Sequence, residues 1–436
     1  MRRLRYLVGM NTAVQLQEKA VFNKVAWRIM PVVFIAYIFA YLDRVNIGFA
    51  KLAMKEELWF SDAVFAMGSG IFFIGYFFFE VPGNILMHKL GARLWITRIM
   101  VSWAIISGLC ALADNAMHFY ILRFLLGVAE AGFFPSIILY LTYWFPKERK
   151  AHMFAVFMTA VNFAGILGSP LSGWILEFTH GHPTIKAWQW LFVIEALPSL
   201  VLGMCIPWLL SNRPQEARWL SEEEKKVILD RLDMEEQEKQ EQGAGRHRIQ
   251  DAFRSVHVWV FALIYFCLAI ALYGISFWLP QIISNSITTD TLKIGFYAAI
   301  PWTCAAIGML LFARHSDKTG ERRWHLALIC FFGMIGFVGS GLHNTTPAFV
   351  MVMISIAAIG MMSAISTFWS LPPMILSGTA AAAGIAFINS VGNLGGFISP
   401  EMFAWFNEHY DLGAGLIAVG CFLGFGGLLI LWITKK

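Results

Sequence analysis

The polar residues of this chain are gathered into short stretches, and between them run apolar blocks of about twenty residues or more. At 1.5 Å per residue such a block crosses a bilayer core of about 30 Å. It is also too long for a barrel strand, so a bundle of membrane-spanning helices is expected. Six blocks lie between residues 25 and 210, and six between 256 and 434. The first runs near 25–49, the second near 62–88, the fourth near 117–145, the seventh near 256–283 and the eleventh near 379–405. The one long polar stretch, 211–254, separates the two sets. Within it "SEEEKKVILDRL" carries a capping box, Ser221 with Glu224 three residues on, and predicts a surface helix. The charged, Gly-interrupted "MEEQEKQEQGAGRHR" then predicts a flexible tether. The expected organisation is an N-terminal segment 1–24, a six-helix bundle 25–210, a linker 211–254 and a second six-helix bundle 255–436.

Composition agrees, with 58% hydrophobic and 14% charged residues against about a quarter charged in soluble domains. The basic residues add orientation. Of the 33 Lys and Arg, all but Arg44, Lys51, Lys55, Arg123, Lys186 and Lys293 fall at the termini, in the central stretch or around the even-numbered loops. By the positive-inside rule both termini are cytoplasmic, and the net charge of +5 reflects topology rather than nucleic-acid binding. The start, "MRRLRYLVGM", lacks a signal-peptide core and cleavage site, and Met10 is an alternative start. Cysteines 110, 205, 267, 304, 330 and 421 all fall inside apolar blocks, so they predict small apolar fillers rather than disulfides or a metal site.

The halves are internally related. "MHKLGAR" (87–93) after span two and "SDKTGER" (316–322) after span eight match in Lys, Gly and Arg at a shift of 229. In span five Val161, Gly165, Ser169 and Pro170 match Val391, Gly395, Ser399 and Pro400 of span eleven at a shift of 230. A duplicated six-span unit fits a transporter whose halves rock about a central site, and small residues let its helices pack closely as they move.

These loops resemble the signature of the major facilitator superfamily. "ARHSDKTGERR" matches its loop after span eight, with Asp317, Gly320 and Arg322; the first-half copy keeps Gly83, Gly91 and Arg93 but has His88 where Asp is usual. More narrowly, "YLDRVNIGFA", "GYFFFEVPGN", "RFLLGVAEAGFFPS", "YWFPKERKA" and "NRPQEARWLSEEEK" resemble the anion:cation symporter family, in particular its bacterial sugar-acid, tartrate and aromatic-acid permeases. The resemblance covers essentially the whole chain. It implies an all-α integral membrane protein of twelve transmembrane helices in two pseudo-symmetric halves. Span seven carries no charge, unlike the vesicular and lysosomal branch, which commonly places a substrate arginine there.

Charges inside the apolar blocks are the candidate chemistry, since each costs roughly 2.5–3.5 kcal/mol at mid-helix and so faces a partner or a wet cavity. They are Asp43 and Arg44 in span one, Glu80 in span two, and Arg123 and Glu130 in span four, all in the first half. Spans seven to twelve offer neutral groups, Ser366, Trp369, Asn389 and Asn393. This division predicts charge and proton handling in one half and hydroxyl recognition in the other. Arg123 and Glu130, seven apart, share one helix face; Asp43 and Arg44 point about 100° apart, so one faces the substrate path while the other meets span four. Asp43 with Arg123 is the expected pair, and Glu130 has no basic neighbour within a turn. The resemblance implies that Asp43 and Glu130 carry protons while Arg44 and Arg123 serve the substrate carboxylate. Tyr41, Tyr76 and Asn162 are further ligand candidates, Glu80 a gating contact, and Glu195 in span six has no assigned role.

A carboxylate in a poorly solvated cavity binds a proton more readily, and arginine grips an anionic carboxylate with two hydrogen bonds. The expected protein is thus a secondary transporter importing a small organic anion by proton symport with alternating access. A hexonate-type sugar acid comes first, then tartrate-like dicarboxylates, then aromatic acids such as phthalate or hydroxyphenylacetate. The alternatives are an anion exchanger or exporter of the same fold, or a receptor, for which the 44-residue linker leaves too little soluble output domain. No phosphate-cradling loop, HExxH, metal-ligand spacing or nucleophile elbow argues for an enzyme or ATP-driven pump. No cofactor, metal or nucleic acid is expected, only the anion, protons and lipid; a monomer suffices, in a bacterial inner membrane.

Overall fold

Backbone N–H and C=O groups have no water to bond in lipid, and the apolar blocks accordingly fold as helices that satisfy their own ladders. The computed structural model describes residues 2–241, 255–319, 321–343, 345–369, 371–372 and 378–433. Spans one and two are α1 (Arg2–Val45) with its short continuation α2 (Ile47–Met54), and α3 (Asp62–Leu90). Span three is α4 (Ala92–Leu109), and span four is α5 (Ala116–Glu130) with α6 (Phe133–Thr142). Spans five and six are α7 (Lys147–Phe178) and α8 (Ala187–Leu209). After the surface helix α9 (Glu222–Glu241), the second half holds α10 (Val256–Ser286), α11 (Thr291–Thr319), α12 (Arg323–Ser340) and α13 (Pro347–Phe368). It closes with α14 (Gly378–Asn393), α15 (Gly395–His409) and α16 (Leu412–Ile433).

Eleven helical runs among the described residues are long and apolar enough to cross a bilayer, one fewer than the twelve blocks. The missing one is block 379–405, which is interrupted at Leu394 into helices of 16 and 15 residues. Gly392, Gly395 and Gly396 flank the interruption, and glycine is a weak helix former.

Two rings of exposed aromatic side chains mark the membrane boundaries. Trp208, Trp259, Trp324 and Trp432 sit at helix ends on the face that carries both termini, and Trp27 lies partway along α1 where span one begins. Trp174, Trp405 and Tyr410 do so on the opposite face. Aromatic rings prefer the headgroup level, where one side is apolar and the other wet.

The halves meet through α7 against α11 and α3 against α15, with α2 against α10. The first two pairs are equivalents under the sequence repeat, five with eight and eleven with two. The backbones approach closely where Gly173 faces Gly295: a Cβ on Gly173 would lie 2.6 Å from the Thr291 carbonyl oxygen. Away from the termini the same interface carries polar bridges. Lys51 is buried, its Nζ 2.9 Å from Asp62 Oδ1 and 3.5 Å from the Trp278 ring centroid, and Asp62 accepts from Asn407 Nδ2 at 2.7 Å. The first apolar block, 25–49, stops short of Lys51, but α2 prolongs span one and takes this residue inside.

The capping box forms as expected: Ser221 N–H donates to Glu224 Oε2 at 2.8 Å, and Glu224 N–H to Ser221 Oγ at 3.2 Å. Lys24 Nζ also donates to Glu224 at 2.8 Å, and with the cap this holds the Glu224 carboxyl below its usual range. Arg231 with Glu148 and Glu235 with the Lys147 N–H fix α9 to the first half. The stretch 234–248, expected as a tether, is helical as far as Glu241, and residues 242–254 lie outside the described residues.

Candidate functional site

Three helix interruptions place the polar residues of the bundle centre. α1 gives way to α2 just after Arg44, α14 gives way to α15 just after Asn393, and α5 ends at Glu130. The last break is the sharpest, because Gly132 adopts φ +84°, a left-handed conformation that side chains disfavour. Gly83 packs beside it: a Cβ there would meet the Ala131 carbonyl oxygen at 3.1 Å, so both glycines let α3 approach the break.

Arg44 is the hub. Its guanidinium ion-pairs with Glu130 through Nη2 and donates from Nη1 to Tyr273 Oη at 3.0 Å, while Nε has no partner. The rings of Phe72 and Tyr76 lie 5.2 and 5.3 Å from its Cζ. Tyr273 in turn lies 3.5 Å from Asn393 Oδ1, so the contact runs from the first half into the second. Arg44 lines a central cavity of about 40 Å³. Tyr37, Tyr41 and Tyr76 form its first-half wall, and Tyr265, Tyr273, Asn389 and Asn393 its second-half wall.

The 100° between Asp43 and Arg44 is realised, but with other partners than expected. Asp43 turns away from the cavity and accepts from Trp103 Nε1 (3.1 Å), Ser107 Oγ (2.8 Å) and Ser199 Oγ (2.7 Å), on α4 and α8. Among the described residues it pairs with no arginine. Arg123 instead donates to the backbone oxygens of Gly68 (3.1 Å) and Arg44 (3.5 Å), also away from the cavity lining. Arg44 is the residue that meets span four, and Glu130 does have a basic partner, supplied from span one rather than its own helix.

Glu80 reaches across the halves to Asn389 Nδ2 (2.6 Å) and Ser390 Oγ (3.0 Å). Three candidates stand behind the wall rather than in it. Asn162 lies 3.8 Å from Met309 Sδ, Ser366 donates to its own helix at Ser363, and Trp369 packs edge-on against Tyr265 at 4.8 Å. In the loop motifs Gly91 has φ +85°, and the backbone N–H of Arg93 donates to Asn212 Oδ1 at 3.0 Å. Arg322 stands at the start of α12. The Asp317 side chain and Gly320 lie outside the described residues.

Sequence reasoning missed Tyr37, Tyr265, Tyr273 and Ser276. A signal existed for the first: Tyr37, Tyr41 and Arg44 fall at i, i+4 and i+7, one stripe of a helix.

A helical bundle in two related halves, enclosing a buried charged cavity at broken helices, defines a membrane carrier rather than an enzyme. The chain matches the sequence model of the Major Facilitator Superfamily over residues 33–400, and it belongs to that superfamily. A protein of Agrobacterium vitis named as a candidate tartrate transporter is 44% identical, over 96% of this chain and 92% of that one. The inner membrane transport protein RhmT of Escherichia coli is 40% identical over 94% of each. The inward open structure of the xylose transporter XylE, 12% identical, superimposes with a TM-score of 0.75 over 94% of this chain and 96% of that one, a likeness of fold.

Proposed function

We propose that the protein imports a small organic anion by proton symport across a bacterial inner membrane, with both termini in the cytoplasm. The observation that carries this reading is Arg44, held at the cavity wall by Glu130 and Tyr273. While Glu130 is ionised it occupies the guanidinium. A proton on Glu130 removes that competitor and frees Arg44 to grip a substrate carboxylate bidentately. Proton and anion thus bind together, and for a monocarboxylate the cavity charge after loading matches the charge before. Asp43, held only by neutral donors, is the second acid of this scheme and responds to protonation without touching substrate.

Tyrosine hydroxyls and the Asn389 and Asn393 amides suit the hydroxyls of a sugar acid or tartrate, and the tartrate-named relative supports that class. Lys51, Asp62 and Asn407 then close the outer side.

The test is external pH in a weakly buffered, de-energised suspension of expressing cells as single carboxylic acids are added. Alkalinisation with a sugar acid or tartrate is expected, and its loss in Glu130→Gln and Asp43→Asn with anion exchange retained. Full concentrative uptake by both variants would overturn the proton assignment; silence to every acid with anion exchange present would make the protein an exchanger.

A further inference from the structure

Glu195 takes no part in the site above. It lies midway along α8, 1% exposed, and accepts from Ser172 Oγ of α7 at 2.6 Å through Oε1. Its other oxygen, Oε2, has no hydrogen-bond partner. Asn46, at the junction of α1 and α2, is equally buried, its amide lies against the Glu195 carboxyl, and its Oδ1 has no donor. Asn46 lines a second cavity of about 20 Å³, together with Ser169, Ser172 and Ser276. The charged group facing Glu195 is Asp43 of α1, another acid; α7 presents the Ser172 hydroxyl, and no basic side chain pairs with it among the described residues.

An ionised Glu195 would therefore sit dry, opposite an acid, with no cation to offset its desolvation. The Asn46 amide can serve the ionised Oε2 only through Nδ2, which leaves the buried Asn46 Oδ1 without a donor. One proton resolves both: hydronium in the cavity gives up H⁺, an O–H bond forms at Oε2, and water remains. The acid then donates to Asn46 Oδ1 while Oε1 keeps the Ser172 hydroxyl. A route exists as well. Ser276, which lines this cavity, shares a 2.6 Å hydrogen bond with Tyr41, which lines the central one.

We propose that Glu195 is a proton-binding site distinct from Glu130, loaded from the central cavity through the Tyr41–Ser276 hydroxyl pair. It rests on the symport reading and raises the number of protons the carrier can hold.

Infrared difference spectra of the purified protein in lipid, between low and high pH, test this without any substrate. The wild type is expected to show a carboxylic-acid C=O band that shifts in D₂O and is lost in Glu195→Gln. Ser172→Ala, which leaves the acid in place, should keep the band but move it, and Tyr41→Phe should slow its appearance after a pH jump several-fold. Identical spectra from wild type and Glu195→Gln would overturn the proposal, as would a Glu195 band that no pH change alters. A band change evoked by sodium at fixed pH would make this a metal-cation site and overturn it too. Failure of symport would show instead as missing alkalinisation with this band intact.

Discussion

In the proposed scheme one side chain, Arg44, joins recognition to coupling. Lysine at this position would keep the charge but lose the planar fork that reaches Glu130 and Tyr273 together. Losing one hydrogen bond to a charged group costs about 1.5–3 kcal/mol, so Arg44→Lys should weaken binding of the transported acid about 10- to 100-fold. Scintillation proximity binding measures it, and unchanged affinity would move the anion site elsewhere. The identity of the buried charges was legible because so few acids and bases interrupt the apolar blocks. Their partners were not. Asp43 finds its donors 60, 64 and 156 residues away, and Glu130 finds Arg44 at 86. Such pairings depend on which helix faces meet, and spacing within one helix carries no trace of them.

At the scale of elements, the interruptions matter more than the helices. Gly132 holds a conformation that costs a side chain about 1–2 kcal/mol, and it directly follows the segment ending at Glu130. Gly132→Ala should lower the melting midpoint of the detergent-solubilised protein and cut uptake disproportionately, because Glu130 shifts relative to Arg44. Equal uptake per folded molecule would show that the break serves packing alone. The spanning helices, to within one, and the α9 capping box were readable from the length of the apolar blocks and from Ser221 and Glu224. The breaks were not, since Gly132 or Gly392 reads in sequence like any packing glycine.

For the whole molecule, the repeat-related pairs α7–α11 and α3–α15 form the seam about which the proposed rocking would turn. Opening the face opposite the termini requires Lys51 to leave Trp278 and Asp62 to leave Asn407. Asp62→Asn strips the acid from a buried lysine; with Asp62 itself a third exposed the pair is partly screened, and its loss costs the closed arrangement about 1–2 kcal/mol. The expected result is a shift toward opening on that face. A cysteine replacing Ser169, on the second cavity, should then react with maleimide about tenfold faster. An unchanged rate would mean that helix packing alone holds the face shut. The two-half architecture was legible in the repeat; this closure was not, because Lys51 resembles an ordinary loop cation.

The two aromatic rings have a consequence for the membrane itself. Each draws members from both halves, Trp27 with Trp259 on one face and Trp174 with Trp405 on the other. Neither half can tilt without dragging its anchors through the headgroup layer, at a cost set by how well the protein's apolar height fits the surrounding lipid. Acyl-chain length thereby becomes a thermodynamic variable of the carrier, acting on the balance of its conformations alongside the ions and solutes on either side.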